Sequence, residues 1–292
     1  MRSHVVVIHQ RDLVWHPAEL PRAEGRARQQ NLSYDEELGA GSFRIHFETD
    51  WGRPAGYHSA DTEWFVLEGL VTLGAQEFVA GGYWRAPAGH RVPELKVKAG
   101  TEVLVFREYG DWGFSASDTD REAFIAKGGN TVSTQPGVLT IVHSNKMDFL
   151  KNKPELGKTQ QFLQKNDLYY DWLPGNRTKG FRTFVIHAPP GWADERLMHH
   201  PVFEEAYCLS GSMTYNYGPI EPGTYFWRPA RVKHGSFLAD NDLGTTWIFR
   251  LDGDLINWVT LEANFEVSGI AENYDPDNPD EAPQIAGIPT RS

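Results

Sequence analysis

Among the residue types of this 292-residue chain that suit chemistry, the most suggestive spacing lies in its second half. There His200 is followed by Glu205 and, past a Gly-x5-Pro turn running from Gly223 to Pro229, by His234 in RPARVKHG. Two imidazoles and a carboxylate brought together from neighbouring strands form the facial set that holds Fe(II) with coordination positions left open, and Zn(II) or Mn(II) accept similar ligands. Side chains alternate along an extended strand, so in EAYCLSG Glu205, Tyr207 and Leu209 share one face and Ala206, Cys208 and Ser210 the other. In the first half Glu68 falls on the face of Trp64 and Val66, which turns Glu63, Phe65 and Leu67 inward; by correspondence Glu205 faces inward and Glu204 is its substitute. His199 and His200 point to opposite sides, and the repeat described next selects His200 over His199. His4, His9, His16, His46, His143 and His187 are read as packed, hydrogen-bonded histidines.

The elements that must position these residues occur twice. His58 and His200, Glu63 and Glu205, Gly69 and Gly211, Gly81 and Gly223, and Pro87 and Pro229 are all separated by 142 positions. Upstream, Asn31–Asp35 echoes Asp167–Asp171, Phe43-Arg44 echoes Phe181-Arg182, and VVVIHQRDL echoes TIVHSNKMDF. A unit of this length is a whole domain rather than a solenoid repeat. The division falls at residues 1–135 and 136–271, joined through the turn-rich GGNTVSTQP, with 272–292 as an extended or disordered tail rich in Pro and Asp. Runs such as FRIHFET, EWFVLEG, TEVLVFRE and TTWIFRL, bounded by Gly, Pro or Asp, read as strands, and KNKPELGKTQQFLQKN is the best helix candidate.

Composition narrows the function classes. A formal net charge of −11 argues against nucleic acid and anionic membranes as partners. The single cysteine, Cys208, forms neither an intrachain disulfide framework nor a thiolate metal site, and suits a reducing cytoplasm. MRSHVVVIHQRDL does not read as a signal peptide, and no run approaches the ~18 apolar residues of a membrane span. No Ser-His-Asp order, phosphate loop or zinc-protease helix is present.

These landmarks resemble the cupin superfamily, specifically its two-domain members, and are similar to RmlC-like and anti-sigma-factor-type cupins. Cupins carry HxH followed by a Glu and a Gly, then Gly-x5-PxGxxH. His200, Glu205 and Gly211 match the first motif, and Gly223, Pro229 and His234 the second. The sequence departs at Met198, where the first His would stand, and at Arg231 in place of the Gly; a strict Glu-to-Gly count favours Glu204. The first unit keeps His58 and Glu63 but has Gly56 and Val92 at the remaining ligand positions, so its site is vestigial unless His90 substitutes through a shifted loop.

The resemblance implies an all-β chain of two tandem cupin jelly-roll barrels, the second holding a divalent metal, Fe(II) first with Zn, Mn or Ni as alternatives. It implies a dioxygenase for a small aromatic or dicarbonyl compound, with Tyr207, Phe226, Trp227 and Trp247 as the aromatic wall and Arg182, Arg228 or Arg250 holding a carboxylate. A non-catalytic small-molecule sensor and a Zn- or Mn-dependent isomerase or lyase are the alternatives. Pairing through sheet edges implies a homodimer.

Overall fold

The structure, a computed structural model, describes residues 2–37, 39–108, 113–116, 139–150, 157–165, 168–169, 178–253 and 255–259. Among them every regular element is a β-strand except two single turns of 3-10 helix, Gln10–Asp12 and Ser144–Lys146. Aromatic and β-branched runs broken every few residues by Gly and Pro make this outcome expected.

The first unit is built on a seven-stranded antiparallel sheet in the order Thr140–His143, Gly82–Ala86, Asp61–Glu68, Glu102–Glu108, Gly41–Phe47, Ala27–Tyr34, His16–Pro17. Two smaller sheets complete it: one joins Gly56–His58 to Arg91–Val92 and Phe114–Ser115, the other contains Trp51–Arg53, Leu95–Val97, Val71–Leu73 and Gln76–Phe78. Their inner faces enclose a core of Phe43, Phe47, Trp64, Phe78, Trp84 and Val92, all at most 2 % exposed. Burial of that apolar surface is the main force closing the barrel.

The second unit repeats the plan. Its larger sheet runs Val5–His9, Thr224–Arg228, Glu204–Gly211, Thr245–Gly253, Thr178–Ala188, Thr159–Lys165, with Leu168–Tyr169 beside Thr178–Ala188. The smaller sheet is Gly218–Ile220, Met213–Tyr215, His234–Ala239, Ala193–His199, Trp258–Val259. Phe184, Ala206, Cys208, Phe226, Trp247 and Leu251 lie in its core.

Two departures from the sequence reading concern the elements. The described part of the helix candidate is instead the strand Thr159–Lys165, because Gln161, Leu163 and Gln164 are buried by its place at the end of the larger sheet. The boundary near residue 135 is also crossed by exchange of the two equivalent strands. The compact units are Met1–Ser3 with Leu13–Met147, and His4–Asp12 with Asp148–Ser292. Val5–His9 thus pairs with Thr224–Arg228, and Thr140–His143 with Gly82–Ala86. The turns behind them match too: Gln10 N–H donates to Gly223 O and Ser144 N–H to Gly81 O, each at 2.9 Å. The join around Gly129–Pro136 and the tail 272–292 lie outside the described residues.

Candidate metal centre

In the second unit, Glu204 begins the central strand Glu204–Gly211, His234 begins the facing strand His234–Ala239, and His200 follows the strand Ala193–His199. Pairing of Met198 with His234 brings the last two elements side by side. The turn leading into His234 is closed by the Arg231 N–H, which donates to His200 O at 2.7 Å. Arg231 has φ +72°, and its repeat counterpart Gly89 has φ +68° with the same bond, to His58 O at 2.9 Å.

All three side chains are buried, and one ligand atom from each lies within 4.8 Å of the other two. The imidazole tautomers follow from their second nitrogens. His200 Nδ1 is 3.2 Å from Ile256 O and His234 Nδ1 is 3.0 Å from Val232 O; a carbonyl only accepts, so each Nδ1 carries the proton. In the neutral rings both Nε2 atoms are lone pairs, and they face one another at 3.1 Å. Glu204 adds Oε1 at 3.7 Å from His200 Nε2 and Oε2 at 3.3 Å from His234 Nε2. Its Oε2 is buried without a hydrogen bond. Two lone pairs and a carboxylate oxygen directed at one point repel unless a proton or a metal cation lies between them, and backbone carbonyls fixing the far nitrogen are the usual support of a metal-bound histidine. The donor set fits a divalent ion.

The ionisation states agree. Burial opposes the charge on Glu204, but Arg228, His200, His234 and Lys158 outweigh it and hold the carboxyl at about 2. Burial, followed by the Arg228 charge, lowers His234 to about 3 and keeps it neutral. Arg228 Nε is 3.2 Å from Glu204 Oε2, while its Nη1 and Nη2 are buried without hydrogen-bond partners. The guanidinium lies over the Phe226 ring, 3.9 Å from its centroid. A cavity of about 70 Å³ opens at these atoms, walled by Phe226, Phe237, Trp247 and Phe249, with Lys158 above Trp192 at one side. A single water needs roughly 10–15 Å³ on this measure, so there is room for an ion and a small ligand.

The expected ligand Glu205 is not in this group. Its carboxylate turns to the opposite face, accepting from Tyr225 Oη at 2.6 Å and from Arg250 Nη1 at 2.6 Å. The cause is a β-bulge: between Cys208 and Ser210 the register with Thr245–Gly253 slips at Leu209, and the first unit slips likewise at Leu67. Glu68 is therefore out of phase with Val66 and Trp64, which face the core. Glu63 accepts from Tyr83 Oη at 2.8 Å, the repeat counterpart of the Glu205–Tyr225 bond. His199 turns away from the centre, its ring 5.2 Å from that of Trp258.

Of the expected substrate-binding residues, Phe226, Arg228 and Trp247 line the cavity. Tyr207, Trp227 and Arg250 share the outward phase of Glu205: Tyr207 bonds Gln10, Trp227 packs on Phe203, and Arg250 is the Glu205 partner. Arg182 is buried but does not line the cavity. Lys158, Phe237 and Phe249 escaped the sequence reading; the inward phase set by Ala206 and Trp247 carries the signal for Phe249 alone.

A family model described as a domain of unknown function, DUF4437, matches residues 6–258. The chain belongs to the DUF4437 family. No curated protein matches this DUF4437 chain in sequence. Solved structures do match it. One from Nostoc punctiforme PCC 73102, provisionally described as a dioxygenase, has a TM-score of 0.67 at 17% identity, covering 87% of this chain and 86% of its own. Ylba from E. coli, of family-model DUF861, gives 0.56 at 14%, covering 84% and 89%. A deletion variant of oxalate decarboxylase from Bacillus subtilis gives 0.51 at 15%, covering 88% and 79%. At these identities the likeness is one of fold, and it makes both units of the DUF4437 chain cupin jelly-roll barrels.

The first barrel of the DUF4437 chain lacks the donor set. By the offset of 142, Thr62 stands at the position of Glu204 and Val92 at that of His234. His58 Nε2 instead accepts from Arg53 Nη2 at 3.0 Å, which uses the lone pair a metal would need. His90 is half-buried, its N–H donating to Pro87 O. Among the described residues only His200, Glu204 and His234 form a cluster of potential ligands.

Proposed function

We propose that this chain is a metal-dependent cupin enzyme, a non-haem Fe(II) dioxygenase for a small aromatic or dicarbonyl compound bearing a carboxylate. The observation that carries the reading is the pair of Nε2 atoms facing each other at 3.1 Å beside a buried Glu204 oxygen that makes no hydrogen bond. An Fe(II) ion held there by His200, Glu204 and His234 supplies oxygen activation through the coordination positions that three protein ligands leave open. The chain's own residues do the rest. Ile256 O and Val232 O fix the imidazole tautomers. The two unpartnered Nη atoms of Arg228 offer a substrate carboxylate a forked, charge-assisted pair of hydrogen bonds. Phe226, Trp247 and Phe249 exclude water and set the size limit of the substrate. The structural neighbour provisionally described as a dioxygenase supports the oxygenase reading, and the oxalate decarboxylase variant supports small-acid chemistry on this fold.

Elemental analysis and oxygen uptake test the reading together. Protein loaded with Fe(II) is expected to hold one ion per chain and to consume oxygen with a member of a panel of aromatic and 2-oxo acids. His234→Ala abolishes both, and His58→Ala neither. Turnover under strict anaerobiosis with Zn or Mn replaces the oxygenase with an isomerase or lyase, and failure to retain any divalent metal leaves a small-molecule sensor.

A further inference from the structure

The first barrel holds a cation of its own. Arg53, on the strand Trp51–Arg53, is 4 % exposed, and no carboxylate among the described residues pairs with it. Its bond to His58 uses one of five N–H donors. Aromatic rings surround the rest: Phe114 at 4.1 Å from the guanidinium carbon, Trp51 at 5.7 Å and Trp64 at 6.0 Å. Two more donors of the same interior are unpaired. Trp64 Nε1 and Thr62 Oγ1 are buried without partners, and they share the inward phase of the strand Asp61–Glu68. Leaving an indole N–H and a hydroxyl buried without partners, beside a guanidinium that no carboxylate among the described residues neutralises, is costly, and each would be satisfied by the same kind of group, an acceptor with negative charge. Arg53 and Trp51 also line a solvent-open cleft of about 1060 Å³.

We propose that the first barrel is a metal-independent site for a small carboxylate, bound by Arg53 with help from Trp64 and Thr62 and flanked by Phe114 and Trp51. The guanidinium takes the place next to His58 that the proposed ion would take next to His200, so one barrel recognises acids through a fixed organic cation. The site does not depend on the second barrel's chemistry.

Calorimetric titration of benzoate and acetate into chelator-treated His234→Ala protein tests this with the metal centre disabled. One site per chain is expected, with a change in tryptophan emission because Trp51 and Trp64 lie against the guanidinium. Arg53→Met is expected to weaken binding at least tenfold and Thr62→Val, which preserves shape, about three- to tenfold, equivalent to roughly 0.7–1.4 kcal/mol. Absence of binding to the parent overturns the proposal, as does unchanged affinity in Arg53→Met. If Arg53→Met fails to fold, unchanged affinity in Thr62→Val overturns it. Loss of binding in Arg228→Met with full retention in both first-barrel variants assigns the acid to the second barrel and has the same effect.

Discussion

Glu204 and Glu205 are adjacent and both buried, but each meets a different environment. Glu204 faces two imidazoles and Arg228 Nε with an oxygen that makes no hydrogen bond, whereas Glu205 is closed off by Tyr225 and Arg250. Glu204→Gln should lower the stability of the metal-free protein, because it strands the buried Arg228 charge, and should weaken metal affinity by more than the roughly 10–100-fold typical of outer-shell changes, read by competition with a chromogenic chelator. Glu205→Gln should differ in retaining metal, while losing about 3–5 kcal/mol in urea denaturation because it strands the Arg250 charge, itself 1 % exposed. The same residues set a pH dependence. The unfolded chain protonates His234 near 6.5 and Glu204 near 4.5, whereas the folded chain withholds those protons until about 3 and about 2. Over that range the unfolded state binds more protons, so stability rises with pH. His4, lowered to about 3 by burial and then by Arg228, acts in the same direction. Urea midpoints of the metal-free protein should fall steadily from pH 7 to pH 4; a midpoint independent of pH in that interval contradicts this account.

At the level of elements, the constant spacing of 142 made the barrels legible in the sequence, since a Gly–Pro framework that recurs together with paired His and Glu marks two copies of one folding unit. The face of the central strand was not readable by alternation, because one inserted residue at Leu209, and at Leu67 before it, reverses the phase without any local composition signal. Spacing from Glu to Gly pointed to Glu204, the carboxylate that lies beside the two imidazoles, because it counts the bulge in. The loop into His234 shows how two equivalent turns tolerate different residues. Gly89 and Arg231 adopt the same left-handed conformation and bond to the same carbonyl, but only the glycine does so without steric cost. Arg231→Gly is expected to raise the stability of the protein by about 0.5–1 kcal/mol, a net value after the entropy that glycine adds to the unfolded state, with metal content unchanged. A loss of metal on this substitution would show that the exposed Arg231 side chain, not the backbone turn, holds His200 in place.

For the whole molecule, chain order and folding unit do not coincide. Val5–His9 completes the larger sheet of the unit that carries His200, Glu204 and His234, although nearly all the sequence between it and Asp148 belongs to the other unit. This strand is a structural part of the second barrel: Val5, Val6 and Ile8 are buried at 2 % exposure or less, and the turn behind it places Gln10 against Tyr207 and Arg11 against Glu221. A fragment spanning 136–292 follows the boundary suggested by the repeat, yet it omits this strand. Its strand Thr224–Arg228, which carries Arg228 of the candidate site, would then present an unpaired edge flanked by newly exposed apolar surface, the arrangement that invites aggregation. Expression of 136–292 alone should give insoluble or metal-free protein. Joining residues 4–12 to its N-terminus through a flexible linker should restore a soluble, metal-binding barrel, because the added segment supplies both the ladder partner of Thr224–Arg228 and the buried side chains. Equal solubility and metal uptake with and without residues 4–12 would show that the second barrel closes without the exchanged strand.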